Sequence, residues 1–132
     1  MPIVVGYVPT PEGRAALARA IEEARLRELR LVVVNTSRGD SLVDTRFAPA
    51  GDWETVLGQL AESGVEHETV RQVSAVDPAD QLLRVARETN AELIVIGVRH
   101  RTPVGKFIMG SSAQTVLLEA ECPVLAVKAA LH

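Results

Sequence analysis

Two uncharged, mostly apolar runs, Ile3-Val4-Val5-Gly6-Tyr7-Val8 and Leu31-Val32-Val33-Val34, flank a stretch in which apolar residues recur at helical spacing. A strand that is apolar at every position, and not at every second one, has to be covered on both of its faces. Between the runs, Leu17, Ala20, Ile21 and Ala24 share one side of a helix predicted from Glu12 to Leu29, while Arg14, Arg19, Glu22, Glu23 and Arg25 point elsewhere. Pro9-Thr10-Pro11 marks the turn out of the first strand. Strand, amphipathic helix and strand in this order make a parallel βαβ unit, and its sheet needs helices on both sides.

The pattern continues along the chain. Ser37–Gly51 mixes turn residues and charges without a period and reads as a long loop, a length that compact domains commonly reserve for function. A second helix is predicted over Asp52–Ser63, with Trp53, Val56, Leu57 and Leu60 on one side and Gly64 in the helix-ending position. Val65–Val73 carries Glu66, His67, Glu68 and Arg71, and a strand so charged belongs at a sheet edge, which makes His67 an edge residue and not a ligand. Asp77-Pro78-Ala79-Asp80 has the cap, the first-turn proline and the acidic side chain of a helix start, and Leu82, Leu83, Val85 and Ala86 follow as its buried face. Leu93–Gly97 is the fourth strand. A helix beginning near Ser111 buries Val116, Leu117 and Ala120, and Val124–Val127 is the fifth strand. The alternation β-α-β-α-β-α-β-α-β with right-handed crossovers is an α/β fold, a doubly wound, five-stranded parallel sheet.

Composition narrows the function classes. The 132 residues suit one domain over residues 1–132, and 47% hydrophobic content supplies its core without metal or disulfide support. A formal net charge of −3 argues against a general nucleic-acid binder. Cys122 is the only cysteine, so no intrachain disulfide can form, and its place beside an apolar run suggests a buried structural thiol. Met1-Pro2-Ile3 lacks the basic start of a secretory signal, and no apolar run approaches the ~20 residues of a membrane span. The expected location is the cytoplasm.

In open α/β sheets a ligand lies beyond the carboxyl ends of the strands, where the strand order reverses. With strand 1 central and the reversal between strands 3 and 4, the crevice is between strands 1 and 4. The loops facing it are Gly6–Pro11, Asn35–Asp40 and Gly97–Ser112. The last of these suits a polyphosphate. Gly97 allows close backbone approach, and Gly110, Ser111 and Ser112 stand at a helix N-terminus whose free N–H groups favour an anion. Arg99, Arg101 and Lys106 can supply charge. The same residues are equally compatible with a capped helix, a turn and solvated cations.

The chain resembles the universal stress proteins over essentially its whole length. "IVVGYVPTPEGRAAL" is similar to that family's first strand and helix start, and "TVLLEAECPVLAVK" to its fourth helix, Cys-Pro turn and fifth strand. The family's nucleotide-binding motif, G-x2-G-x9-G-S/T, is matched by Gly97-Val98-Arg99-His100, nine residues, and Gly110-Ser111-Ser112. The resemblance implies a Rossmann-like sheet in the order 3-2-1-4-5, with adenosine near Gly6, Val8 and Thr36 and phosphates along Gly97–Ser112. Two positions depart from it. His100 replaces the second motif glycine, and Val8 stands where nucleotide-binding relatives have an aspartate that meets the adenosine end. A left-handed backbone at His100 would cost roughly 1–2 kcal/mol, although a partly protonated imidazole beside phosphate would offset some of it.

Three functions follow as expectations. The first is a regulatory domain that binds ATP or AMP, with or without Mg²⁺. The second is a dimeric interaction module of the same family that binds no nucleotide, pairing with its copy through Pro123–Lys128. The third is an enzyme, and for it there is no Ser-His-Asp or metal-ligand spacing among His67, His100 and His132. Gly105-Lys106 is followed by Phe107, which breaks the Walker pattern, so slow ATP hydrolysis is the most to be expected. A response-regulator receiver needs clustered acids after strand 1, and Gly6-Tyr7-Val8-Pro9 has none.

Overall fold

The structure is a computed structural model and describes residues 1–36, 50–71, 76–98 and 111–129. The described residues form nine elements: β1 (Ile3–Tyr7), α1 (Pro11–Arg27), β2 (Leu31–Asn35), α2 (Ala50–Ser63), β3 (His67–Val70), α3 (Pro78–Thr89), β4 (Leu93–Val98), α4 (Ser111–Glu119) and β5 (Val124–Lys128). The strands form one sheet in the order β3-β2-β1-β4-β5, with every neighbouring pair parallel. The doubly wound α/β reading and the reversal point between β3 and β4 are both correct.

The all-apolar strands divide their side chains between two cores. Ile3, Val5, Tyr7, Leu31, Val33, Leu93 and Val95 pack with Ala16, Leu17, Ala20, Ile21 and Ala24 of α1 and with Trp53, Val56 and Leu60 of α2. Val4, Val32, Val34, Ile94, Ile96 and Val98 pack with Ala79, Leu82, Leu83, Val85 and Ala86 of α3 and Val116 of α4. The alternation along each strand is therefore between two buried faces, as period-2 geometry requires of a sheet sandwiched by helices.

Helix ends follow local chemistry. Thr10 caps α1, its hydroxyl oxygen accepting from the Gly13 N–H at 3.1 Å, with Pro11 in the first turn behind it. The turn expected at Pro9-Thr10-Pro11 thus contains the cap itself. Removing such a cap costs ~0.5–2 kcal/mol. Thr10→Ala should therefore lower the urea midpoint by that equivalent with an unchanged m-value, which equilibrium unfolding measures. Asp77 caps α3 as expected, accepting from the Ala79 N–H at 2.9 Å. Gly64, at φ +75°, follows α2, while α1 and α3 end on left-handed Glu28 and Asn90, where no glycine announces the stop.

Several side chains depart from the sequence-based expectation, half-buried Ala120 among them. Glu23 is 8% exposed, because Arg19 at 2.9 Å and Arg27 at 3.0 Å grip its two oxygens from one turn on either side. Its charge is paired, so the helix can turn it toward the core. Leu57 and Leu117, placed on buried faces by their spacing, are exposed, and Leu118 beside the latter is 77% exposed. Each helix face is narrower than its apolar stripe. Cys122 is half-buried, and burial raises its thiol pKa. His67 lies on edge strand β3 with its ring Nδ1 2.8 Å from the Val65 carbonyl, a local contact. Of the strand expected over Val65–Val73, residues 67–70 pair with β2, and positions 72–75 lie outside the described residues.

Candidate functional site

The sheet opens at one place. The β1–β2 ladder runs to Tyr7↔Asn35 and the β4–β5 ladder to Val98↔Lys128, but the ladder between β1 and β4 stops at Val5↔Val95. The last residues of the two central strands therefore diverge. The helices that follow them lie on opposite faces, α1 after β1 on one side and α4 after β4 on the other. This is the switch point of the fold, at the carboxyl ends of β1 and β4, where doubly wound sheets take their ligands.

Gly6, Val8, Thr36 and Gly97 all lie at this opening. Thr36 follows β2 with a double tie to β1: its N–H donates to the Tyr7 carbonyl at 2.8 Å and its hydroxyl donates to the same oxygen at 3.0 Å. Its methyl lies 3.5 Å from where a Cβ on Gly6 would stand, and a Leu82 methyl lies 3.1 Å from that point. Gly6 is thus roofed by Thr36 and α3. Val8 is half-buried, its carbonyl accepting from the Thr10 N–H at 2.8 Å.

Gly97 has a role that spacing did not reveal. A Cβ there would overlap the Glu12 carbonyl oxygen, lying 2.6 Å from its carbon and 3.1 Å from the Gly13 nitrogen. A Cβ on Gly13 would in turn overlap the Val8 carbonyl. The two glycines let the first turn of α1 sit directly on the ends of β1 and β4, so the crevice is walled on that side by helix backbone. The absence of a side chain at Gly97, expected to serve the approach of a ligand, here serves the approach of the protein's own helix backbone.

On the other strand, α4 begins at Ser111, and the Ser112 side chain is half-buried in its first turn. The free N–H groups of that turn form a partial positive end. Arg99, His100, Arg101, Lys106 and Gly110 lie outside the described residues, as does the side chain of Ser111. Among the described residues no three His, Cys, Asp or Glu side chains gather into a metal-binding group, and no helix is long and apolar enough to cross a membrane.

A polar group behind the crevice escaped sequence reasoning. Tyr7 is 1% exposed, and its phenol donates to Asp52 Oδ2 at 2.7 Å. The other Asp52 oxygen accepts from Arg14 at 3.3 Å, and the Trp53 ring lies 6.1 Å from that of Tyr7 at a tilted angle. Burial, and then the bond to Asp52, push the phenol above its ordinary pKa. In the sequence Tyr7 is one more strand residue. Its single polar atom in an otherwise apolar run was the available signal, because a buried hydroxyl needs a partner.

The sequence pattern of the universal stress protein family matches residues 1–128. A universal stress protein of Mycolicibacterium smegmatis is 51% identical over 126 residues, which cover 96% of this chain and 96% of that protein. Among solved structures, a universal stress protein from Archaeoglobus fulgidus superposes with a TM-score of 0.74 at 33% identity, covering 97% of this chain and 98% of the other. The structure of the Archaeoglobus fulgidus universal stress protein in complex with dAMP superposes with a TM-score of 0.69 at 29% identity and the same coverage.

Proposed function

The chain belongs to the universal stress protein family, and on that premise we propose that it binds an adenine nucleotide, ATP or AMP, in the crevice between β1 and β4. The observation that carries the reading is the early end of the β1–β4 ladder, two residues short of the end of β1, which opens the sheet where doubly wound folds take their ligands. The complex of the Archaeoglobus fulgidus relative with dAMP supports the same ligand class. The base lies along Gly6, Val8 and Thr36. The phosphates point to the start of α4, where the N–H groups, Ser111 and Ser112 meet them, and Gly97, Arg99, His100, Lys106 and Gly110 are assigned to the same end of the ligand. Mg²⁺, where present, rides on the nucleotide phosphates. The output is regulatory, and no catalytic residue is assigned.

Calorimetry with ATP tests the phosphate end. A hydrogen bond to a charged acceptor contributes ~1.5–3 kcal/mol. The double variant Ser111→Ala/Ser112→Ala should therefore bind ATP more weakly by roughly tenfold or more. Unchanged affinity would remove the phosphates from the start of α4.

One further feature favours a second reading beside the first, a homodimer. β5 is an edge of the sheet, Ala126 within it is exposed, and Leu117 and Leu118 are exposed on the preceding helix. An open edge with apolar neighbours is a surface for pairing. We place the second copy along Pro123–Lys128. An interaction module without nucleotide would keep this dimer and show no heat with ATP.

A further inference from the structure

We propose that Tyr7 is a positioning residue that links occupancy of the crevice to the first turn of α2. The proposal rests on the nucleotide reading above, because it needs a ligand between β1 and β4. Its own basis is that Tyr7 is held from both ends. Its main-chain carbonyl takes both bonds from Thr36, at the rim of the crevice, and its phenol is bonded to Asp52, in the first turn of α2.

The ring between these two ends is 1% exposed, within the core that α1 and α2 share with the sheet and beside Trp53. Packed interiors transmit displacement because they have no slack to absorb it. A ligand that contacts Thr36 shifts or stiffens the Tyr7 peptide, and the phenol carries that change to Asp52. Arg14 holds the second Asp52 oxygen from α1, so α1 and α2 meet at one carboxylate. The link is reciprocal: whatever fixes the start of α2 also favours one geometry of the crevice rim.

The chain carries its own reporter. Trp53 is the only tryptophan, follows Asp52 directly and is buried beside the Tyr7 ring. Its emission reads the surroundings of the first turn of α2 without a label. Tyr7→Phe keeps the ring and removes only the hydroxyl. Asp52→Ala removes the acceptor, while Asp52→Asn retains an oxygen that can take the phenol hydrogen.

The experiment measures two quantities on each protein: ATP bound, by equilibrium dialysis with labelled ATP, and the ATP-induced change in Trp53 emission. In the wild type ATP binds and the emission changes. In Tyr7→Phe and Asp52→Ala the protein still binds ATP, with affinity lowered roughly three- to tenfold, and at saturation the emission change falls to less than about half, as expected when one hydrogen bond of a linked set is lost. Asp52→Asn retains most of the response. A purely structural role would lower stability in these variants and leave the response at saturation intact, and that result overturns the proposal. So does a wild type that binds ATP with no change at Trp53, which leaves the crevice reading standing. If dialysis finds no ATP on the wild type, the crevice reading itself fails and the link falls with it.

Discussion

Gly97→Ala lowers the melting temperature by roughly 4–11 °C whether or not nucleotide is present, as expected for overpacking that costs ~1–3 kcal/mol. The added methyl has nowhere to go. It meets the Glu12 carbonyl and, at 3.1 Å, the Gly13 nitrogen, and both are backbone atoms of α1, which cannot rotate aside as a side chain would. Relief requires the whole first turn of α1 to lift from the end of β4. That movement would also disturb Thr10 and Gly13, whose bond caps the helix, and Arg14, which holds Asp52. The loss therefore spreads from one contact to the wall of the crevice. Scanning calorimetry of the variant with and without ATP measures it. A variant as stable as the wild type that had lost only ATP affinity would show that Gly97 serves the ligand and not α1.

Val8→Asp strengthens ATP binding by roughly ten- to a hundredfold, the equivalent of the ~1.5–3 kcal/mol of a charge-assisted hydrogen bond. Valine at the end of β1 offers adenosine no acceptor, whereas the resemblance implies an aspartate there in nucleotide-binding relatives. The position tolerates the charge. Val8 is half-buried, and its Cγ2 lies 2.9 Å from where a Gly13 Cβ would stand, against the first turn of α1. A carboxylate at the start of a helix is favoured by the helix dipole. The gain appears as a lower dissociation constant in titration calorimetry, with little change in melting temperature in the absence of ligand. An affinity equal to that of the wild type would place the adenosine away from β1.

Much of this architecture is legible in the residues. The unbroken apolar runs Ile3–Val8 and Leu31–Val34 require a sheet covered on both faces, and both cores are as that requirement demands. Asp77-Pro78 declares its own cap. What stayed hidden depends on distances between segments far apart in the chain. Glu23 reads as a surface acid until two arginines on its own helix are seen to neutralise it. Leu57 and Leu117 have core spacing, but the width of a helix contact depends on its neighbours and not on its own pattern. At the site, the strand pattern put the loops Gly6–Pro11, Asn35–Asp40 and Gly97–Ser112 at one end of the sheet, and the resemblance singled out Val8 and Thr36 within them. Neither could show that α1 occupies the space over Gly97, or that Tyr7 reaches Asp52 through the core.

The most direct test is diffraction from crystals of the wild-type protein grown with millimolar ATP. Difference density for an adenine nucleotide between the diverging ends of β1 and β4, with its base at Thr36 and its phosphates at the first turn of α4, is the predicted result. Ordered solvent alone in that opening, at a nucleotide concentration well above any useful affinity, would contradict it.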